Sequence, residues 1–232
     1  MKKILSLVLK ILTFIFMVVG IIVRSLDKES MLADNNPLLY FTMQSNIWIG
    51  VYCLILFVIM LIEIKTSRKI YGRVLKIIKF VFTVSITITG FIYTVALAPG
   101  MGKDAWTFGN VVTHAVVPLL SILDFLVYEV EYKYEKKEPL WSLVPPVYYF
   151  IFASIGYLCN WDFGGGNNYP YFFLNWGSPV GAFGFDFNTD SPYFMGVFYW
   201  IILLALFVLS FAYTYYLISM LINKYKAKHL KS

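Results

Sequence analysis

Long apolar runs alternate with short polar segments along the chain. Six such runs occur, at approximately residues 4–23, 38–62, 77–98, 109–128, 140–158 and 193–222. A helix needs about 20 apolar residues to cross a hydrocarbon core, and each run is of that order. A membrane β-barrel would show short segments of alternating polarity instead. The pattern predicts an all-α polytopic membrane protein, with residues 1–232 forming one six-helix transmembrane domain. A cleaved leader is the competing reading of the first run, because Lys2 and Lys3 form a basic start. That run is too long for a leader and no small-residue cleavage site follows it, so it is read as the first helix.

Composition agrees, with 59% of residues hydrophobic and 14% charged, far from the balance of soluble domains. The net charge of +6 raises nucleic acid as a partner, but the distribution of charge removes it. With the N-terminus placed in the cytoplasm, only Arg24, Lys28 and Lys103 of the 19 basic residues fall outside. This asymmetry follows the positive-inside rule and puts both termini in the cytoplasm. The connectors 65–73 and 129–138 then read as solvated, topology-setting loops. Low charge and richness in Lys, Ile and Tyr point to a bacterial plasma membrane.

The outer side has a different character. Residues 24–37 carry Asp27, Glu29 and Asp34, and the loop 159–192 holds no Lys or Arg. Its aromatics, Tyr169, Tyr171, Phe172, Phe173 and Trp176, seek a surface to bury against. The loop either lies in the membrane interface as an aromatic belt or folds back as a lid. No metal or cofactor is expected: zinc-like spacing and phosphate-binding glycine loops are missing. Cys53 and Cys159 differ too much in depth for an easy disulfide and read as small core residues.

Polar residues inside the runs carry the chemistry. His114 is an ionisable group in an apolar stretch, a functional signal by default. A structural histidine, a proton-relay or transport residue, and a general base are the three readings of it. Thr42, Ser45 and Asn46 share one face of the second helix, with Pro37 placed at its start. Counted from the outer helix ends, Thr42 and His114 lie at similar depth. Thr83, Thr87, Gly90 and Thr94 form a small-residue stripe, suited to close helix approach or to lining a cavity. Asn160, Asn175 and the outer aspartates can reach this layer from above. Asp124 is about 80° around and about 15 Å along the helix from His114, so it is expected to pair with a basic residue at the cytoplasmic end. Glu63 and Lys79 read as helix-end charges that snorkel.

The strings Phe41-Thr-Met-Gln-Ser-Asn46, His114-Ala-Val-Val-Pro118 and Tyr169-Pro-Tyr-Phe-Phe-Leu174, in this order, resemble the six-span family of the androgen-induced protein and the androgen-dependent regulator of tissue factor pathway inhibitor. The likeness in layout runs over nearly the whole chain and is nearest the family's bacterial branch. It implies an intramembrane threonine hydrolase that cleaves fatty acid esters of hydroxy fatty acids or related acyl lipids, with Thr42 as nucleophile and His114 as base. Asn46, Ser45, Thr87, Thr94, Tyr171 and Asn175 are the expected supporting or substrate-binding residues. Membrane lipids and a lipid ester are the expected partners, with no cofactor, metal or nucleic acid. No acidic residue is placed to orient His114. The alternatives are a small-molecule carrier or transporter subunit without catalysis, and a membrane scaffold.

Overall fold

The computed structural model describes residues 1–26, 37–187 and 193–229. Six helices are long and apolar enough to cross a membrane, which supports a multi-pass membrane protein. They are α1 (Lys2–Leu26), α2 (Phe41–Thr66), α3 (Arg73–Met101), α4 (Phe108–Glu131), α5 (Glu138–Leu158) and α6 (Val197–His229). Three starts differ from the predicted runs by three residues or more, and α3 begins at Arg73, four residues before the predicted 77. Pro37–Leu39 forms a 3₁₀ turn and Tyr40 is extended, so α2 begins at Phe41. Before α6, Phe194 and Gly196 pair with Asp186 and Gly184 of the preceding loop. Asp27, Lys28, Glu29, Asp34, Asp190 and Lys231 lie outside the described residues.

The helices arrange around α3. Of its apolar window 61% is buried, against 17% for α6, which makes α3 the central post and α6 a peripheral one. α1, α2 and α4 gather on one side of α3, and α5 and α6 on the other. Met17, Ile49, Cys53, Ile86, Val112 and Val117 fill the first group. Phe80, Val84, Phe125, Val208, Ala212 and Tyr215 join α3 and α4 to α6. Both chain ends lie at one end of the bundle, because Lys2 and Lys226 both pair with Glu131. At about 1.5 Å per residue α6 is longer than the roughly 30 Å that a hydrocarbon core requires, and its last turns carry the lysines.

At the termini end, four charges are locked inside the bundle. Lys10 Nζ lies 2.9 Å from Asp124 and 2.9 Å from Glu129, and Lys79 Nζ lies 3.1 Å from Asp124. Ser6 Oγ donates to Asp124 at 2.6 Å, and Lys79 also donates to Thr83 at 3.1 Å. Two positive and two negative groups cancel, which is how buried charge is tolerated. Asp124 therefore has basic partners, as its position suggested. Lys79 does not snorkel: it is fully buried, because Asp124 meets it within the bundle. Lys10, one of the basic residues counted as cytoplasmic, is likewise buried in this cluster. Nor does Glu63 reach for water; its carboxylate accepts the backbone N–H groups of Ile70 and Tyr71 at 2.8 Å each and pairs with Lys3. Cys53 is buried as expected, but Cys159 is exposed, because it sits past the last turn of α5.

Candidate functional site

Thr42 stands on the first turn of α2, at the end of the bundle opposite the termini. One turn on, Asn46 donates to the Thr42 carbonyl at 2.7 Å and to the Thr113 carbonyl of α4 at 3.2 Å. That side-chain amide brings the Thr42 segment against the residue preceding His114, so the two share a layer on adjacent helices. The Thr42 hydroxyl and the His114 ring are not hydrogen-bonded to one another. His114 Nδ1 and Asn46 Oδ1 are each buried without a partner. Ser45 Oγ and Thr89 Oγ1 lie 2.8 Å apart, linking α2 to α3 beside this layer.

His114 sits in a π-helical turn, Val112–Val116, and Tyr93 opens a second one, Tyr93–Leu97. Each has a proline two residues beyond its end, Pro118 and Pro99. Proline offers no N–H to the carbonyl four residues back and its ring crowds that oxygen. The helix relieves the clash by widening: Val117 N–H bonds to Val112, and Ala98 N–H to Tyr93. Such bulges collect at functional sites. Here they bring the Tyr93 and His114 rings face to face, 3.6 Å between centroids and 10° apart in plane. Gly90 makes this approach possible. A Cβ there would lie 2.6 Å from the His114 carbonyl oxygen, the oxygen that Pro118 leaves without its helical donor. Tyr93 also donates to the Ala105 carbonyl, and Asn110 bonds both to that carbonyl, at 3.0 Å, and to Arg24. A polar lid of α1 and α4 residues thus covers the histidine.

Across α3 lies a cavity of about 140 Å³ between α2, α3, α5 and α6. Ile88, Ile92, Leu97, Phe150, Ile201 and Leu204 give it an apolar wall. Thr42, Thr89 and Tyr93 reach its surface; His114 is not on it but lies behind Tyr93. The loop after α5 closes the cavity, since Tyr171, Phe173 and Leu174 line it and pack against Tyr149, Ala153 and Val197. Of the two readings of this loop, the lid describes residues 171–176. Tyr40 pins the lid through the Phe163 carbonyl. Tyr149 donates to the Leu39 carbonyl at 3.0 Å.

The other expected residues divide. Ser45 bonds the site layer, and Tyr171 lines the cavity beside Thr42. Thr87 instead pairs with the Tyr215 hydroxyl at 2.9 Å and holds α6 to α3. Thr94 is exposed and bonds back to the Gly90 carbonyl, because the π turn rotates it out of the stripe. Asn175 organises the loop, accepting from Gly177 N–H at 3.0 Å. Tyr93, Thr89 and Tyr149 were not expected. Proline at positions 99 and 118 was the available signal for the first. Among the described residues no cluster of three metal-binding side chains occurs.

No family model matches the chain, and no curated protein or solved structure matches it.

Proposed function

We propose that this protein is an intramembrane threonine hydrolase of lipid esters, of the kind in which the acid is joined to a hydroxy fatty acid or of a related acyl class. The observation that carries the reading is the Asn46 amide, which ties the Thr42 and Thr113 carbonyls together at the edge of an apolar, lidded cavity that Thr42 lines. Nucleophile and base candidates thereby sit on adjacent helix turns, and the acyl chain has a place to lie. In this reading both termini are cytoplasmic, the lid faces the outer side, and the membrane is a bacterial plasma membrane.

The chemistry divides among the residues as follows. Thr42 Oγ1 attacks the ester carbonyl while His114 Nε2 takes its proton. Collapse of the intermediate expels the alcohol, which regains that proton from His114, and water then releases the acid from Thr42. Asn46 supplies what a carboxylate supplies in a Ser-His-Asp arrangement. Its Oδ1 and His114 Nδ1 are both buried and unpartnered; pairing them requires the ring to turn off the Thr89 backbone carbonyl that it faces, and would leave Nε2 as the basic nitrogen. Apo catalytic hydrogen bonds are often long and tighten with substrate, which fits the missing Thr42–His114 bond. Asn46 does not serve as an oxyanion donor, because both protons of its amide are directed to backbone carbonyls.

A fluorophosphonate probe with a long alkyl chain tests the assignment. Labelling of the wild type that disappears in Thr42→Ala and in His114→Ala is expected. Equal labelling of wild type and Thr42→Ala would remove the nucleophile. A second reading, a lipid carrier or transporter subunit without catalysis, draws on the position of His114 behind Tyr93 rather than on the cavity wall. It predicts unchanged lipid binding and transfer in Thr42→Ala and no probe adduct.

A further inference from the structure

An ester hydrolase also needs a donor for the carbonyl oxygen as it gains charge. The hydroxyls on the cavity wall can be sorted by where their protons go. Ser85 donates to the Val81 carbonyl, Tyr93 to Ala105 and Tyr149 to Leu39. Thr89 is committed to Ser85 and Ser45. Ser142, at the start of α5, lies about 10 Å along that helix from Tyr149 at 1.5 Å per residue, while Tyr149 is the residue that meets Phe41 beside Thr42, ring to ring at 5.2 Å. Ser142 is therefore too deep to serve Thr42.

Tyr171 remains. Its hydroxyl lies against the Thr42 side chain, the Tyr149 hydroxyl and the backbone amides of Phe41 and Thr42. Those amides are the first two of α2, and the opening N–H groups of a helix have no intrahelical acceptor. The ring is fixed on three sides, stacked on Phe173 at 5.0 Å and set against Tyr40 at 5.9 Å and Tyr149 at 6.1 Å. A donor held in place before reaction needs no reorganisation as charge develops. Burial pushes the Tyr171 phenol up from its ordinary value, so it keeps its proton through the neutral range.

We propose that Tyr171 is a catalytic residue, whose phenol donates to the substrate carbonyl oxygen beside the first amides of α2. The inference rests on the hydrolase reading of Thr42. As the Thr42 Oγ1–carbon bond forms, the carbonyl π pair moves onto oxygen, and the Thr42 proton moves to His114. The Tyr171 proton stays on Tyr171 and is shared with the oxyanion. The pair returns to re-form the carbonyl as the alcohol leaves with the His114 proton. Since Tyr171 belongs to the lid, closing the cavity and completing the oxyanion site are one event.

Tyr171→Phe keeps the ring packing and removes only the hydroxyl. With p-nitrophenyl decanoate in mixed micelles, kcat should fall about 100-fold, the usual loss for one oxyanion donor, with KM little changed. A decyl trifluoromethyl ketone, which forms a hemiketal on the nucleophile, should bind correspondingly more weakly to this variant, while decanoate binds equally. Tyr213→Phe, which removes a phenol bonded to the Lys136 carbonyl at the opposite end of the bundle, should keep kcat within about threefold. Loss of turnover in Thr42→Ala with kcat intact in Tyr171→Phe overturns the role of Tyr171 alone. Equal turnover in wild type and Thr42→Ala overturns the hydrolase reading and this inference with it. A fall in kcat without weaker ketone binding also refutes the oxyanion role.

Discussion

Replacing Asp124 by Asn should destabilise the bundle more than any other isosteric change outside the site. Asp124 is the hub of the buried cluster, with Lys10 at 2.9 Å, Lys79 at 3.1 Å and Ser6 at 2.6 Å, all fully buried. At an effective dielectric of about 20, each ion pair at such distances is worth roughly 5 kcal/mol of gross attraction. Desolvation offsets much of this, so the net worth of the intact cluster is small. Removing one partner is another matter: it leaves an uncompensated charge, and such breaks cost about 3–5 kcal/mol. Asn keeps the shape and the Ser6 contact, so the loss isolates the charge. For a chain of this size it corresponds to a fall of roughly 10 °C in Tm, at about 2–4 °C per kcal/mol. Thermal unfolding in mild detergent, followed by tryptophan fluorescence, reads it. The double variant Asp124→Asn with Lys79→Met removes one charge of each sign and leaves the Lys10–Glu129 pair. It should recover well over half of the loss. As a reference, Glu135→Gln removes an exposed partner of Arg73 at 2.6 Å and should leave Tm nearly unchanged, because solvent screens such a pair. A single variant as stable as wild type, or a double variant no better than the single, would refute the balance argument.

Gly90→Ala should cost about 1–3 kcal/mol and abolish probe labelling, because its Cβ meets the His114 carbonyl. Gly100→Ala, with nothing within 4 Å, should be neutral in the same thermal and labelling assays. Thr87→Val should lower stability by about 1 kcal/mol through the lost Tyr215 bond, with labelling retained; loss of labelling would return Thr87 to the site. Asn46→Ala should reduce ester turnover at least 100-fold, more than its effect on Tm explains, and unchanged turnover would remove its orienting role. Tyr40→Phe should speed hydrogen exchange across residues 163–175, measured by mass spectrometry, and unchanged exchange would show that this phenol does not fasten the lid.

The six long apolar helices were legible because apolar length is a strong and local signal. Thr42 and His114 stood out in the sequence as polar residues at similar counted depth; the structure adds that Asn46 bonds the Thr42 carbonyl to that of Thr113, the residue before His114. What sequence concealed was helical phase after a disturbance. A count at 3.6 residues per turn kept Thr94 on the Thr83–Gly90 stripe, whereas the π turn at Tyr93–Leu97 turns it outward. The same disturbance placed Tyr93 on His114, and only the prolines at 99 and 118 hinted at it. Lys79 was misplaced for another reason: burial of a charge depends on a partner remote in sequence, here Asp124. Tyr171 was visible as part of an aromatic loop, but its contact with Thr42 depends on how that loop folds back.

A threonine hydrolase of this kind must pass through an acyl ester on Thr42. Purified protein quenched in acid within the first turnover of a long-chain p-nitrophenyl ester, then digested and sequenced by tandem mass spectrometry, measures this directly. An acyl adduct is expected on the peptide carrying Thr42, assigned to its side chain and accumulating when water attack is slowed. Ester consumption with no adduct at Thr42, or an adduct at another residue that survives Thr42→Ala, would contradict it.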